Sequence, residues 1–123
     1  MVNGYYYFTP NFDPYLNMAV DEWLFDSICR HTVHCRAALR LYSWLFPAIT
    51  IGYNQDFSEI TSKEYLDEQL PVIRRITGGR AIYHEPSEIT FSLSAGLDIF
   101  PAEARTMSCT TGLISESKVE LLF

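Results

Sequence analysis

Between Val72 and Ser94 the sequence twice alternates with a period of two, on either side of adjacent glycines: "VIRRITGGRAIYHEPSEITFSLS". In residues 72–77, Val72, Arg74 and Ile76 share one side, and Ile73, Arg75 and Thr77 the other. In residues 88–94, Ile89, Phe91 and Leu93 oppose Glu88, Thr90, Ser92 and Ser94. Successive side chains point to opposite faces only in an extended strand, so this block commits the chain to a β-sheet. Its second strand reads as apolar on the core side and polar on the other.

The remaining elements are assigned around that block. "YYYF" at 5–8 reads as a short strand. "YLNMAVDEWLFDSIC" then places Leu16, Ala19, Val20, Trp23, Leu24 and Ile28 on one helical stripe, with Asp21, Glu22 and Asp26 mostly off it. Asn11 or Asp13 is the expected N-cap. "ALRLYSW" and "AITIGYN", interrupted at Pro47, read as a strand pair or meander. Thr61 followed by Glu64 is a capping-box pattern opening a short polar helix that stops before Pro71. Pro101 at an N1 position opens a last helix, although "SCTTG" within it is poor helix material. The expected order is β-α-β-β-α-β-β-β-α. The fold class is α+β, a mixed, mostly antiparallel sheet with flanking helices.

A chain of 123 residues has room for one domain, and 48% hydrophobic with 15% aromatic residues supplies a core. The net charge of −6 argues against general nucleic-acid binding, which depends on basic patches. A small anionic ligand reads only local charge and stays open. The N-terminus lacks a basic segment followed by a long apolar one, so no signal peptide is expected. No apolar run approaches the roughly 20 residues that span a bilayer, and no membrane association is expected. Three cysteines, Cys29, Cys35 and Cys109, do not make a disulfide framework, which fits a reducing cytoplasm.

"TGGR" has two readings. Gly-Gly satisfies the positive φ angles of a two-residue hairpin loop, leaving Arg74, Arg75 and Arg80 as solvated residues at strand ends. The same glycines let main-chain N–H groups approach a phosphate or carboxylate, with neighbouring guanidinium groups as charged donors. His84 is either a hydrogen-bonded structural residue or part of a site. Glu88 is either solvated or lines a pocket edge beside His84 or Arg80. "CRHTVHC" at 29–35 offers four metal-ligand types. Seven contiguous residues seldom close a tetrahedron, so a helix end and turn is expected there and no metal. Cys109 has no nearby histidine to activate it.

"RRITGGRAIYHEPSEITFS" resembles the signature of the lipoate–protein ligase and octanoyl/lipoyl transferase family, relatives of the biotin protein ligases. "PNFDPYLNMAVDEWLF" is similar to that family's opening loop and helix, and "LRLYSWLFPAITIGYNQ" to its tryptophan-proline-glycine-glutamine strand pair. The resemblance covers about residues 5–100. It implies attachment of lipoate or octanoate to a lysine of a lipoyl carrier domain, with ATP consumed in the ligase branch. Arg75 would contact the acyl or adenylate group, and Gly78 and Gly79 would admit close main-chain approach. Arg80, Ala81, Ile82 and Tyr83 would line the pocket, with His84 in the neighbouring shell. Arg74, Thr77 and Glu88 are further candidates. Glu88 stands where the ligase pattern has asparagine and the transferase-like branch has glutamate, a tilt towards the latter.

The departure from the family is at the C-terminal side. The ligase lysine lies in a glycine-serine motif well downstream of the loop, and the transferase cysteine also lies further along. Lys63 and Lys118, the two lysines here, lack that context, and Cys109 comes too soon. Residues 1–123 therefore read as the N-terminal part of a biotin/lipoate protein ligase-type catalytic domain without its catalytic residue. Such a chain would be a truncated product or one half of a split enzyme completed by a second polypeptide. An unpaired sheet edge and an uncovered apolar face are then expected, and with them marginal stability or self-association.

Overall fold

The computed structural model describes residues 3–30, 36–60 and 69–99, together with the backbone of 113–115 and 118–120. In order these form β1 (Gly4–Phe12), α1 (Pro14–Cys29), β2 (Ala37–Trp44), β3 (Ala48–Ile51), β4 (Val72–Arg74), β5 (Ile82–His84), β6 (Thr90–Ala95), β7 (Leu113–Ser115) and β8 (Lys118–Glu120). One sheet has the order β1-β2-β6-β7-β8 and the second β4-β3-β5. β1 and β2 are parallel and joined through α1, and β3 and β4 are parallel. The other pairs are antiparallel. The α+β class with mixed, mostly antiparallel pairing holds. The helix expected from Thr61 lies outside the described residues. Residues 113–115 and 118–120, expected within the last helix, are instead strands that extend the sheet from β6. The free edge of β6 offers ladder bonds that a helix with a weak "SCTTG" centre could not match.

Asp13 is the cap of α1. Its carboxylate accepts from the backbone N–H of Tyr15 at 2.8 Å and of Leu16 at 3.4 Å, with Pro14 entering the first turn. The buried face differs from the expected stripe. Pro14, Asn17, Met18, Asp21, Leu24, Ser27 and Ile28 point inward, while Leu16 and Trp23 are exposed. The reason lies on β2. Arg40 is fully buried beneath the helix and donates to Asp21 Oδ1 at 2.9 Å, Asn17 Oδ1 at 2.6 Å, the Asn17 carbonyl at 2.9 Å and Thr9 Oγ1 at 2.9 Å. Tyr42 and Ser92 donate to the same Asp21 carboxylate. A buried guanidinium must be paired, so the helix turns its polar residues towards it.

The same inversion reaches β6. Thr90, Ser92 and Ser94 are buried against the helix side, whereas Phe91 and Leu93 are half-buried and Ile89 is exposed. On the far face, strand register aligns Tyr6 with Leu39 and Leu93, and Phe8 with Leu41 and Phe91. Tyr6 and Phe8 are each 60% exposed. Two apolar rows thus cross three strands on the side away from α1.

The expected pairing of "ALRLYSW" with "AITIGYN" does not form. After Trp44 the chain turns through residues 45–47, and β3 enters the second sheet. All four β3 residues are buried, with Ile49 and Ile51 packed on Ile60, Leu70 and Val72. Met18, Tyr42, Trp44, Ala48 and the half-buried Ile73 form a cluster linking α1, both sheets and the site described next.

Candidate functional site around the Gly78–Gly79 loop

β4 and β5 do not pair with each other; β3 lies between them, so the hairpin reading of "TGGR" is replaced by a crossing. Residues 75–81 pass over the C-terminal end of β3 and must clear the backbone that leaves it. Gly52 is that backbone. A Cβ built there would stand 2.0 Å from the Gly79 carbonyl oxygen. Gly79 itself has φ 96°, a region that L side chains avoid. At Gly78 an added Cβ would meet nothing within 4 Å, so this residue faces open space.

Arg75 holds the loop from beneath. It is 2% exposed. Its Nη2 donates to the carbonyls of Gly78 and Arg80, both at 2.9 Å, and its Nη1 to Thr50 Oγ1 at 2.8 Å. Its backbone N–H bonds the Ile51 carbonyl at 2.8 Å. Among the described residues no carboxylate lies within ion-pairing distance of this guanidinium, unlike that of Arg40. Its Nε is buried without a partner. Burial lowers the Arg75 pKa, and nearby Tyr42 acts in the opposite direction.

Trans peptide planarity converts those carbonyl contacts into a statement about donors. The Gly78 and Arg80 carbonyls point in towards Arg75, so the N–H groups of Gly79 and Ala81, on the same peptide units, point away from it. Neither N–H takes part in a turn or loop backbone hydrogen bond among the described residues. Gly78, Gly79, Arg80 and Ala81 are all exposed. Two outward N–H groups over a buried positive charge suit an anion.

Behind Arg75 runs a buried chain of polar groups. Thr50 Oγ1 is 2.8 Å from His84 Nε2, and His84 Nδ1 is 2.9 Å from Glu88 Oε1. Thr90 Oγ1 donates to that same carboxylate oxygen at 2.9 Å, and Trp44 Nε1 donates to Thr90 Oγ1 at 3.0 Å. The Trp44 and His84 rings stack at 4.0 Å. Thr50 Oγ1 accepts from the Arg75 guanidinium, and its second lone pair and its proton both lie open to His84 Nε2. The His84 Nδ1–H goes to Glu88, whose carboxylate can only accept.

Burial acts to raise the Glu88 pKa, but the hydrogen bond and charge of His84, with help from Thr90, hold it below the ordinary value. A depressed carboxylate contributes stability above the unfolded-state pKa and loses it as pH falls through the folded value. Urea midpoints should therefore drop on acidification below about pH 4.3. Glu88→Gln should flatten that acid limb, as followed by circular dichroism.

The other expected site residues go elsewhere. Arg74 Nη1 donates to the carbonyls of Gly52, Tyr53 and Gln55, closing the 52–55 turn. Arg80 reaches outward to an exposed ion pair with Glu59 at 3.2 Å. Ile82 is half-buried and Tyr83 exposed on β5, and Thr77 Oγ1 is buried without a partner. Beside the loop, Ala19, Trp23, Phe25, Tyr53 and Ile76 line an open cavity of about 600 Å³, with Glu22, Asp26 and Arg30 at its margin. Most of "CRHTVHC" lies outside the described residues, and Cys29 is exposed. Thr50, Gly52, Trp44 and Thr90 escaped sequence reasoning. Trp44 and Gly52 carried a signal, as the tryptophan and glycine of the "LRLYSWLFPAITIGYNQ" motif; Thr50 carried none.

The sequence model of the lipoyl protein ligase A/B catalytic domain matches residues 13–108, which hold α1, strands β2 to β6 and the Gly-Gly loop. The chain belongs to this family. It is 39% identical over 88 residues to octanoyltransferase LipM of Moorella thermoacetica, covering 70% of this chain and 31% of the relative. Lipoate–protein ligase 1 of Staphylococcus aureus is 32% identical over 81 residues, 65% of this chain and 23% of that protein. The bi-partite lipoate protein ligase of Thermoplasma acidophilum, solved in a study of that ligase and its E2 lipoyl domain, shares the fold. Its TM-score is 0.56 at 24% identity, over 77% of this chain and 36% of that one. The chain thus spans about a third or less of these family members' length. Among its described residues no helix is long and apolar enough to cross a membrane.

Proposed function

We propose that this chain forms the acyl-donor cradle of a cytoplasmic protein-lipoylating enzyme, one that attaches lipoate or octanoate to a lysine of a lipoyl carrier domain. The observation that carries the reading is Arg75. It is a buried guanidinium without a carboxylate partner among the described residues, and it turns the Gly79 and Ala81 N–H groups outward over an exposed glycine. That arrangement fits the carboxylate of a free acid or the phosphate of an acyl-adenylate, the latter formed with ATP in the ligase branch. Arg80, Ile82 and Tyr83 would flank the bound group. Catalysis of this kind depends on holding acyl group, phosphate and amine in place and stabilising developing charge.

The limited coverage of relatives favours a second element of the proposal. The rest of the catalytic domain, on a second polypeptide or further along a longer chain, supplies the ligase-type lysine that holds the activated acyl group or the acyl-accepting cysteine. It also covers the apolar rows of Tyr6, Leu39 and Leu93 and of Phe8, Leu41 and Phe91. Exposed apolar surface of that kind is characteristic of an interface. Without that remainder, residues 1–123 bind an acyl ligand and do not turn over.

The test incubates the chain with ATP, octanoate or lipoate and an apo carrier domain, with and without a polypeptide supplying the rest of the catalytic domain. Mass spectrometry should show an acylated carrier only in the complete mixture. Acylation by the chain alone would refute the need for a partner. Arg75→Ala should weaken octanoate binding at least about tenfold by calorimetry, from loss of a charge-assisted contact, whereas His31→Ala should leave it unchanged. Equal effects would place the cradle elsewhere.

A further inference from the structure

We infer that Glu88, His84 and Thr50 are positioning residues for the Gly78–Arg80 loop, acting through Arg75 and not by touching the ligand. The inference rests on the reading of that loop as an anion cradle. His84 is 1% exposed, and both of its ring nitrogens are taken by protein partners. Thr50 is fully buried. Neither has a polar atom left to offer a ligand.

In this inference His84 is neutral, and each link then has one direction. Glu88 is fixed by Thr90, which in turn is held by Trp44, and the Trp44 ring stacks on the imidazole. The carboxylate selects the Nδ1–H form of His84, leaving a lone pair on Nε2. That lone pair takes the Thr50 proton and turns the oxygen lone pairs of Thr50 to Arg75 Nη1. Arg75 makes no contact with a carboxylate among the described residues, so Thr50 is what restrains its Nη1. The other terminal nitrogen then stays where it holds the Gly78 and Arg80 carbonyls. The chain also bridges the sheets, because Thr90 and Trp44 belong to the first, and Thr50 and His84 to the second. Packing between the sheets is thereby transmitted to a main-chain loop at the surface.

The experiment compares wild type, Thr50→Val and Thr50→Ser as ¹⁵N-labelled chains. Valine keeps the shape and removes the hydroxyl; serine restores it. In wild type and T50S, the His84 ring should give a protonated Nδ1 and a lone-pair Nε2. T50V should shift the Gly79 and Ala81 amides and weaken octanoic acid binding about tenfold, the loss of a hydrogen bond to a charged group. T50S should return both towards wild type. Should T50V fail to fold, Glu88→Ala replaces it at the half-buried end of the chain, with the same two amides expected to move. The inference is overturned if those amides stay in place in the folded variant, if T50S does not restore them, or if His84 carries its proton on Nε2. If wild type binds neither octanoic nor lipoic acid while T50V shifts the amides and T50S restores them, the positioning holds and the cradle reading fails.

Discussion

Arg40→Ala should cost about 3–5 kcal/mol of stability, the usual loss when one partner of a buried ion pair is removed. Domains of this size hold only about 5–15 kcal/mol in total, so this is among the most damaging single changes available. The variant strands the Asp21 carboxylate under the helix with only Tyr42 and Ser92 as donors. It also removes the cation that sits 4.1 Å over the Tyr42 ring. Burial, followed by the Asp21 charge, already pushes the Tyr42 phenol well above its ordinary pKa, so the phenol remains a donor across the working range. Urea denaturation followed by circular dichroism measures the loss. The double variant Arg40→Met with Asp21→Leu should recover more than half of it, because neither buried charge remains. A double variant no better than Arg40→Ala would mean that the pair is not what holds α1 to the sheet.

Gly52→Ala is the second large effect. The new methyl carbon would lie 2.0 Å from the Gly79 carbonyl oxygen, where real contacts are not found below 3.0 Å, and backbone on both sides cannot swing away. The Gly79 peptide would have to retreat and take the Gly78 and Arg80 carbonyls off Arg75. A stability loss of about 1–3 kcal/mol is expected, as for other overpacked sites, with loss of octanoic acid binding. Gly78→Ala is the informative contrast. With open space around it, stability should stay within about 0.5 kcal/mol, while affinity falls if a ligand approaches that carbon. Equal melting of the two variants would remove the steric argument for the crossing.

Several features of this protein were legible without coordinates. The period of two around the glycines marks β4 and β6 as extended, because no other backbone alternates faces residue by residue. Asp13 before Pro14 marks the start of α1, since a short carboxylate can reach the orphan N–H groups of the first turn. Glu88 does lie beside His84. The resemblance of three ordered motifs pointed to the family that the match over residues 13–108 establishes.

Which face of each element turns inward was not legible. Periodicity separates two faces but leaves the choice between them to whatever lies opposite. Here Arg40, on an apolar-looking strand, draws Asn17, Asp21 and Ser92 inward and leaves Leu16, Trp23 and Ile89 outside. Nor could the local sequence of "TGGR" distinguish a hairpin from a crossing, because both use glycine for its freedom at positive φ.

By itself, then, the sequence determined where the first six strands run, where the helix begins and which family the chain belongs to, because these are written in local patterns. β7 and β8, read as helix, depend on the edge of β6 that they extend. Only the tertiary structure decided that β3 slips between β4 and β5. With that placement Gly52 comes under Gly79, and Thr50 comes between Arg75 and His84. Those contacts join residues 25 to 34 positions apart, and no local preference encodes which buried cation will meet which hydroxyl.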